Sequence, residues 1–170
     1  MSFLSQCEDL VASYAQPMLA AEGGDFKRLY TRYFGAITDL QALIETFKSA
    51  SPAAFLSIPQ VQFTTSGSSE GAQRCRIDGT VTYYLAFATT TKADTDRAFE
   101  VHYDAYDSVL KEFGGRYVMD ADQPTNWRGS HVVLENWNAY FVPNELAVSM
   151  FTFRIKFYGG GGGGGGGGSI

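Results

Sequence analysis

Two histidines, His102 and His131, are the side chains of this 170-residue sequence best suited to proton transfer or metal ligation near neutral pH. Neither has the right company: there is no HxxxH, no HExxH and no clustered cysteine pair from which a metal set is built. Each therefore reads as a structural histidine. Serines are plentiful, and GxSxG spacing occurs at Gly67-Ser68-Ser69-Glu70-Gly71, but inside a breaker-rich loop rather than at a strand-to-helix turn, so no nucleophile elbow is expected. The segment Ser66-Gly67-Ser68-Ser69-Glu70-Gly71 lacks the Lys-Ser/Thr ending of a phosphate cradle and reads as a flexible loop. Carboxylates are more suggestive. Asp94, Asp96, Glu100, Asp104 and Asp107 share one stretch, and Asp120 with Asp122 adds a local pair. Paired acids can do acid/base work or hold a divalent cation. Here they spread over several faces of a helical pattern and gather towards its N-terminal end, where acids complement the dipole. Asp94, Asp96, Glu100 and Asp104 are thus expected on a solvated face or an acidic lumen. No catalytic residue, metal or cofactor is expected, and the chain reads as a non-enzyme.

Chemistry of association is better represented. Asn126-Trp127-Arg128-Gly129 sets an aromatic beside a guanidinium, the residue types enriched at interface hot spots, in what reads as a loop. Arg28, Arg32, Arg154 and Lys156 are candidates for ion pairs across a subunit contact. The formal net charge is −5. Neutralising a nucleic-acid backbone needs clustered Lys and Arg, so direct nucleic-acid binding is not expected. Cys7 and Cys75, with no CxxC, read as small buried hydrophobes in a reducing cytoplasm. The opening MSFLSQCEDLV has no basic flank and carries Glu8 and Asp9, unlike a signal peptide. No run approaches 18 uninterrupted apolar residues, so a soluble protein without membrane contact is expected.

The elements that must position these groups follow from apolar spacing. With 45% apolar residues, 13 Phe and 10 Tyr, the chain can bury one sizeable core but is short for two domains. Phe3, Leu4, Cys7, Leu10, Val11, Tyr14 and Met18 recur at three and four, predicting a helix capped by Ser2 and ended by Pro17 and Gly23-Gly24. Phe26 to Phe34 reads as a short strand or an ordered loop. A second helix is expected between Gly35 and Pro52, with Thr38 and Asp39 offering caps. Beyond Pro52 come a strand, a kink at Pro59 and a second short strand, then a mobile loop from Thr64 to Gly71. Alternation from Arg74 to Thr89 predicts a long strand, with Gly79 inviting a bulge. Ala93 to Phe113 predicts the most regular helix, stopped by Gly114-Gly115. Two strands, His131 to Val142 and Leu146 to Tyr158, form a hairpin about Pro143-Asn144-Glu145. In the last strand Ser149, Phe151, Phe153, Ile155 and Phe157 should face the core, while Thr152, Arg154, Lys156 and Tyr158 meet water or a partner. The fold class expected is α+β, a single domain (1–158) with a mainly antiparallel or mixed sheet and two to three packing helices.

A polyglycine tail, 159–170, follows that domain. Gly159 to Gly168 is a run of ten glycines, closed by Ser169 and Ile170. Such a run is a random coil in isolation. Fixing ten backbone units costs about 1–2 kcal/mol each, so a partner surface must supply roughly 10–20 kcal/mol to hold it. Fully extended, 159–170 would reach about 40 Å. Because the run continues a strand, addition to a neighbour's sheet edge is the simplest mode, which makes Tyr158, Gly159, Gly168 and Ile170 candidate contact positions; the alternative is a solvent-exposed tail without a role.

The order of elements resembles the phage tail terminator and neck proteins, especially the Mu-like group of contractile-tailed phages. The resemblance is carried by Ser51-Pro52-Ala53-Ala54-Phe55 and by the passage from Val81-Thr82-Tyr83-Tyr84-Leu85-Ala86-Phe87 into Arg97-Ala98-Phe99 and Tyr106-Asp107-Ser108-Val109-Leu110. The closing Phe151-Thr152-Phe153-Arg154-Ile155 completes it. The resemblance implies a homo-hexameric ring that caps the tail tube and joins it to the head-side connector or stopper, beside the sheath protein. Its place would be the tail-neck junction of a virion assembled in the host cytoplasm. DNA would pass through an acidic lumen without specific binding. The alternatives are a head-tail connector or head-completion protein of the same junction, a small cytoplasmic ligand-binding module, or a small enzyme built around His102.

Overall fold

Apolar residues alternate along two long segments, 76–90 and 146–160, which form the centre of a six-stranded mixed sheet. We describe residues 2–35, 40–66, 76–90, 95–113, 127–142 and 145–160 of a computed structural model. The strands are β1 (Leu29–Tyr30), β2 (Ala53–Leu56), β3 (Gln60–Ser66), β4 (Arg76–Thr90), β5 (Trp127–Val142) and β6 (Leu146–Gly160). Their order is β1-β2-β4-β6-β5, with β3 beside β4 on the same side as β2. Only β1 and β2 run parallel; every other pairing is antiparallel. The helices are α1 (Phe3–Ser13), α2 (Leu40–Ala50) and α3 (Thr95–Phe113). The chain is an α+β domain, as expected.

Each face of the sheet has its own core. On one, α1 and α3 press Phe3, Cys7, Val11, Val101, Ala105 and Val109 onto Tyr83, Leu85, Phe87, Phe151, Phe153 and Ile155. On the other, α2 brings Phe47 against Phe55, Ala86, Ala88, Val148 and Met150. The reading that one face of β6 meets water holds only for its second half, where Arg154 and Lys156 are exposed. Nearer the hairpin, Met150 and Thr152 are buried as well. Burial on both faces is what fixes β4 and β6 as the rigid centre.

Several local expectations are corrected. Ser2 does cap α1, its Oγ accepting from the Ser5 N–H at 3.2 Å, but the helix stops at Ser13. Two 3₁₀ turns, Gln16–Met18 and Ala20–Glu22, carry the chain to Gly23 instead, because Pro17 cannot continue the α-helical ladder. The proposed loop beginning at Thr64 is strand as far as Ser66. Trp127 and Arg128, expected in a loop, open β5 and pair with Gly159 and Tyr158. The last strand runs two residues past the expected Tyr158: Gly159 and Gly160 belong to β6, facing Ile77 and Arg76 across the ladder. The caps Thr38 and Asp39, the stop Gly114-Gly115, and Cys75, Asn126, Asp120 and Asp122 lie outside the described residues.

Gly79 makes no bulge. Its register is continuous with Phe63 on one side and Phe157 on the other, and the shifts in the sheet fall in β5, between Gly129 and His131 and between Leu134 and Asn136. The glycine is required by close approach, since the Phe157 ring occupies the space a Cβ would take. That ring is held by Phe3 at 5.1 Å and Phe63 at 6.0 Å between centroids, so it has little freedom to retreat. Gly79→Ala is expected to cost about 1–3 kcal/mol in urea unfolding, an overpacking penalty. Phe157→Leu in the same chain should recover part of it; strictly additive losses would show that the ring is not the obstacle.

Candidate functional site

The helix that sequence spacing made most regular, α3, presents two kinds of residue to its surroundings. Ala98, Val101, His102, Ala105 and Val109 are buried against the sheet. Asp96, Glu100, Tyr103, Asp104 and Asp107 are exposed, because three-and-four spacing turns them all away from the core. Three of the four acids expected on a solvated face, Asp96, Glu100 and Asp104, are there; Asp94 lies outside the described residues.

His102 is the polar residue of the buried side. Its Nε2 lies 2.9 Å from Thr89 Oγ1 on β4, and its Nδ1 lies 2.8 Å from Ser149 Oγ on β6. A neutral imidazole donates through one nitrogen and accepts through the other, and a hydroxyl can answer either, so the trio is satisfied as a unit. Burial pushes the His102 pKa down to about 4, a hydrogen bond with the Ala147 backbone opposing only in part. This is the structural histidine the sequence suggested. It ties α3 to the two central strands. Ser149 is wholly buried, while His102, 3% exposed, borders a cavity. His131 lies within β5, opposite Lys156.

Beside His102 lies a cavity of about 170 Å³ between α3 and the β5–β6 hairpin. Phe99 and Tyr103 form its helix wall, Trp137, Tyr140 and Phe141 its strand wall. The rings brace one another: Phe99 stacks on Phe141 at 5.0 Å, and Trp137 lies 6.5 Å from Tyr103 and 5.1 Å from Tyr106. The rim is open, with Tyr103 57%, Tyr140 44% and Phe141 38% exposed. Trp137 Nε1 is buried without a hydrogen-bond partner among the described residues. A buried donor left unanswered costs about 1–3 kcal/mol. Nothing in the sequence motifs marked this place. Its only signal was the pair Phe99 and Tyr103, i and i+4, on the acidic side of a helix.

The cations proposed for subunit contacts are distributed differently from expectation. Arg32 Nε donates to both carboxylate oxygens of Glu8 at 3.0 Å, pinning the 26–34 segment to α1. Arg154 pairs with Glu135 at 2.9 Å within the sheet. Arg28 rests over the Tyr30 ring at 4.2 Å yet remains exposed, as do Lys27 beside it and Lys156 on β6. Arg32 and Arg154 thus have partners inside the chain. Trp127 and Arg128, at the start of β5, face Gly159 and Tyr158 across the ladder to β6, while Gly168 and Ile170 lie outside the described residues.

No protein-family model and no curated protein matches this sequence.

Proposed function

We propose that the chain is a structural assembly subunit rather than an enzyme: the tail terminator of a contractile-tailed phage, forming a homo-hexameric ring that caps the tail tube and meets the head-side neck. The observation that carries the assembly reading is β5. It is a 16-residue strand at the sheet's margin, paired with β6 alone among the described residues. An edge of that length displays a row of backbone donors and acceptors, and proteins that stay monomeric blunt such edges or cover them. The exposed aromatic rim at Tyr103, Tyr140 and Phe141 beside the edge points the same way, since such rings concentrate at interfaces. The specific assignment to the tail terminator rests on the resemblance in sequence order. A connector or head-completion role at the same junction is the alternative.

Other classes fit the site less well. The aromatic cavity is about 170 Å³, below the roughly 300–1,000 Å³ of ordinary small-ligand pockets. Ser149, the hydroxyl partner of His102 Nδ1, is wholly buried and its Oγ is engaged with the ring.

Native mass spectrometry of the protein, alone and with tail-tube protein, tests the reading. Hexamers, or rings formed on tube ends, are expected; a stable monomer with no affinity for tube protein would sink it. Removing residues 161–170 while keeping the paired Gly159 and Gly160 is expected to weaken assembly without altering thermal stability. Unchanged assembly would mean the glycine run plays no part in it.

A further inference from the structure

We propose that the aromatic cavity of one copy receives the basic edge Lys27–Arg28 of the next, making a head-to-tail contact between copies. This deepens the assembly reading above and rests on it. The receiving surface combines two features: five aromatic walls, and the exposed acids Asp96, Glu100, Asp104 and Asp107 on the turns of α3 that carry Phe99 and Tyr103. Aromatic faces attract cations, most of all guanidinium, and surrounding carboxylates reinforce that preference. A basic segment of a second copy supplies the cation.

This chain carries such a segment in the right place. Lys27 and Arg28 are exposed immediately before β1, whose Leu29 pairs with Ala54 at the edge opposite β5. The acid nearest to them, Asp25, is turned towards Arg97 at 4.0 Å. Following the ladders, Ala54 faces Phe87, Phe87 faces Ser149 and Ser149 faces Ala139, which lines the cavity. Donor and receiver therefore sit at the same level of the sheet on opposite edges, four strand spacings or about 19 Å apart. A chain cannot satisfy itself across that width, whereas a neighbour placed edge to edge can. Two different patches meeting in this way form a heterologous interface, which repeats and closes into a ring when the rotation allows.

Charge reversal tests the pairing. Glu100→Arg with Asp104→Arg, and separately Lys27→Glu with Arg28→Glu, are surface changes whose folding is checked by circular dichroism. Each should weaken self-association, followed by light scattering on a sizing column, by at least about 100-fold, because like charges then face each other. Mixing the two variants should restore assembly as an alternating complex, and all four changes in one chain should restore it alone. Tyr103→Ala should weaken assembly without restoration by either partner. If both reversals leave the assembly of the unaltered protein untouched, the contact is wrong while the ring reading survives. If the unaltered protein remains a monomer both alone and with tail-tube protein, both fail. Loss of assembly without restoration on mixing overturns the pairing of these two patches.

Discussion

Phe55→Ala is expected to lower the stability of the protein by about 3–5 kcal/mol, read from the shift of its urea midpoint. Phe55 is fully buried on β2 and is the hub of the second core. Its ring lies 4.5 Å from Phe47 on α2, 4.9 Å from Tyr33 and 5.3 Å, stacked, from Tyr30. Truncation removes the surface on which all three rest. Collapse is hindered because β2 is locked to β4 from Ala53 to Leu56, so most of the cavity would persist. The loss should be uneven. Phe47 is the buried anchor of α2, with Ile44 and Ala50 packing beside it, so amide exchange across 44–50 should accelerate more than in β4 or β6. A cost below about 1 kcal/mol with unchanged exchange would show that α2 is not held to the sheet by this ring.

That second core explains what the sequence could and could not disclose. Helices α1, α2 and α3 were legible because apolar residues at three-and-four spacing report a local geometry. The alternation in β6 was legible too, and Phe151, Phe153, Ile155 and Phe157 are all buried as it implied. The burial of Val148 and Met150 on the opposite face depends on α2, roughly a hundred positions earlier, docking there. Alternation cannot encode an event at that range, although three apolar residues on the supposed wet face, Leu146, Val148 and Met150, were its trace. Trp127 and Arg128 were placed in a loop by their neighbour Gly129. The ladder to β6 overrides that local preference by taking a register shift just beyond Gly129. Gly79 shows the same ambiguity in another form: a bulge and a close approach both demand a missing side chain, and only the position of Phe157 separates them. The cavity was least legible of all. Its walls come from α3 and from both strands of the hairpin, so no window of sequence contains it.

Acid should weaken the fold through His102, and the direction follows from its burial. The imidazole has an ordinary pKa of 6.5 and one of about 4 in the folded protein, because the site between Thr89 and Ser149 holds the neutral ring away from water. As pH falls below 6.5 the unfolded chain takes up a proton that the folded chain refuses. Stability is therefore fully present above pH 6.5, is lost as pH falls towards 4, and changes no further from this group below that. At roughly 1.4 kcal/mol per pH unit the whole interval corresponds to about 3 kcal/mol, a large share of the 5–15 kcal/mol that holds a typical domain. The measurement is a pair of urea titrations at pH 7, 5.5 and 4 on the native protein and on His102→Leu. The leucine variant should be the weaker at pH 7, where it leaves two buried hydroxyls without their shared partner. It should lose less on acidification, so the difference between the two proteins should narrow or reverse by pH 4. Carboxylates titrate in both proteins and cancel in that difference. Parallel curves would mean that His102 is not the proton-sensitive bolt between α3 and the sheet. A narrowing gap would further predict that assembly built on the outer face of α3 loosens over the same pH interval, because the helix that presents Phe99, Tyr103 and the acids is the one His102 secures.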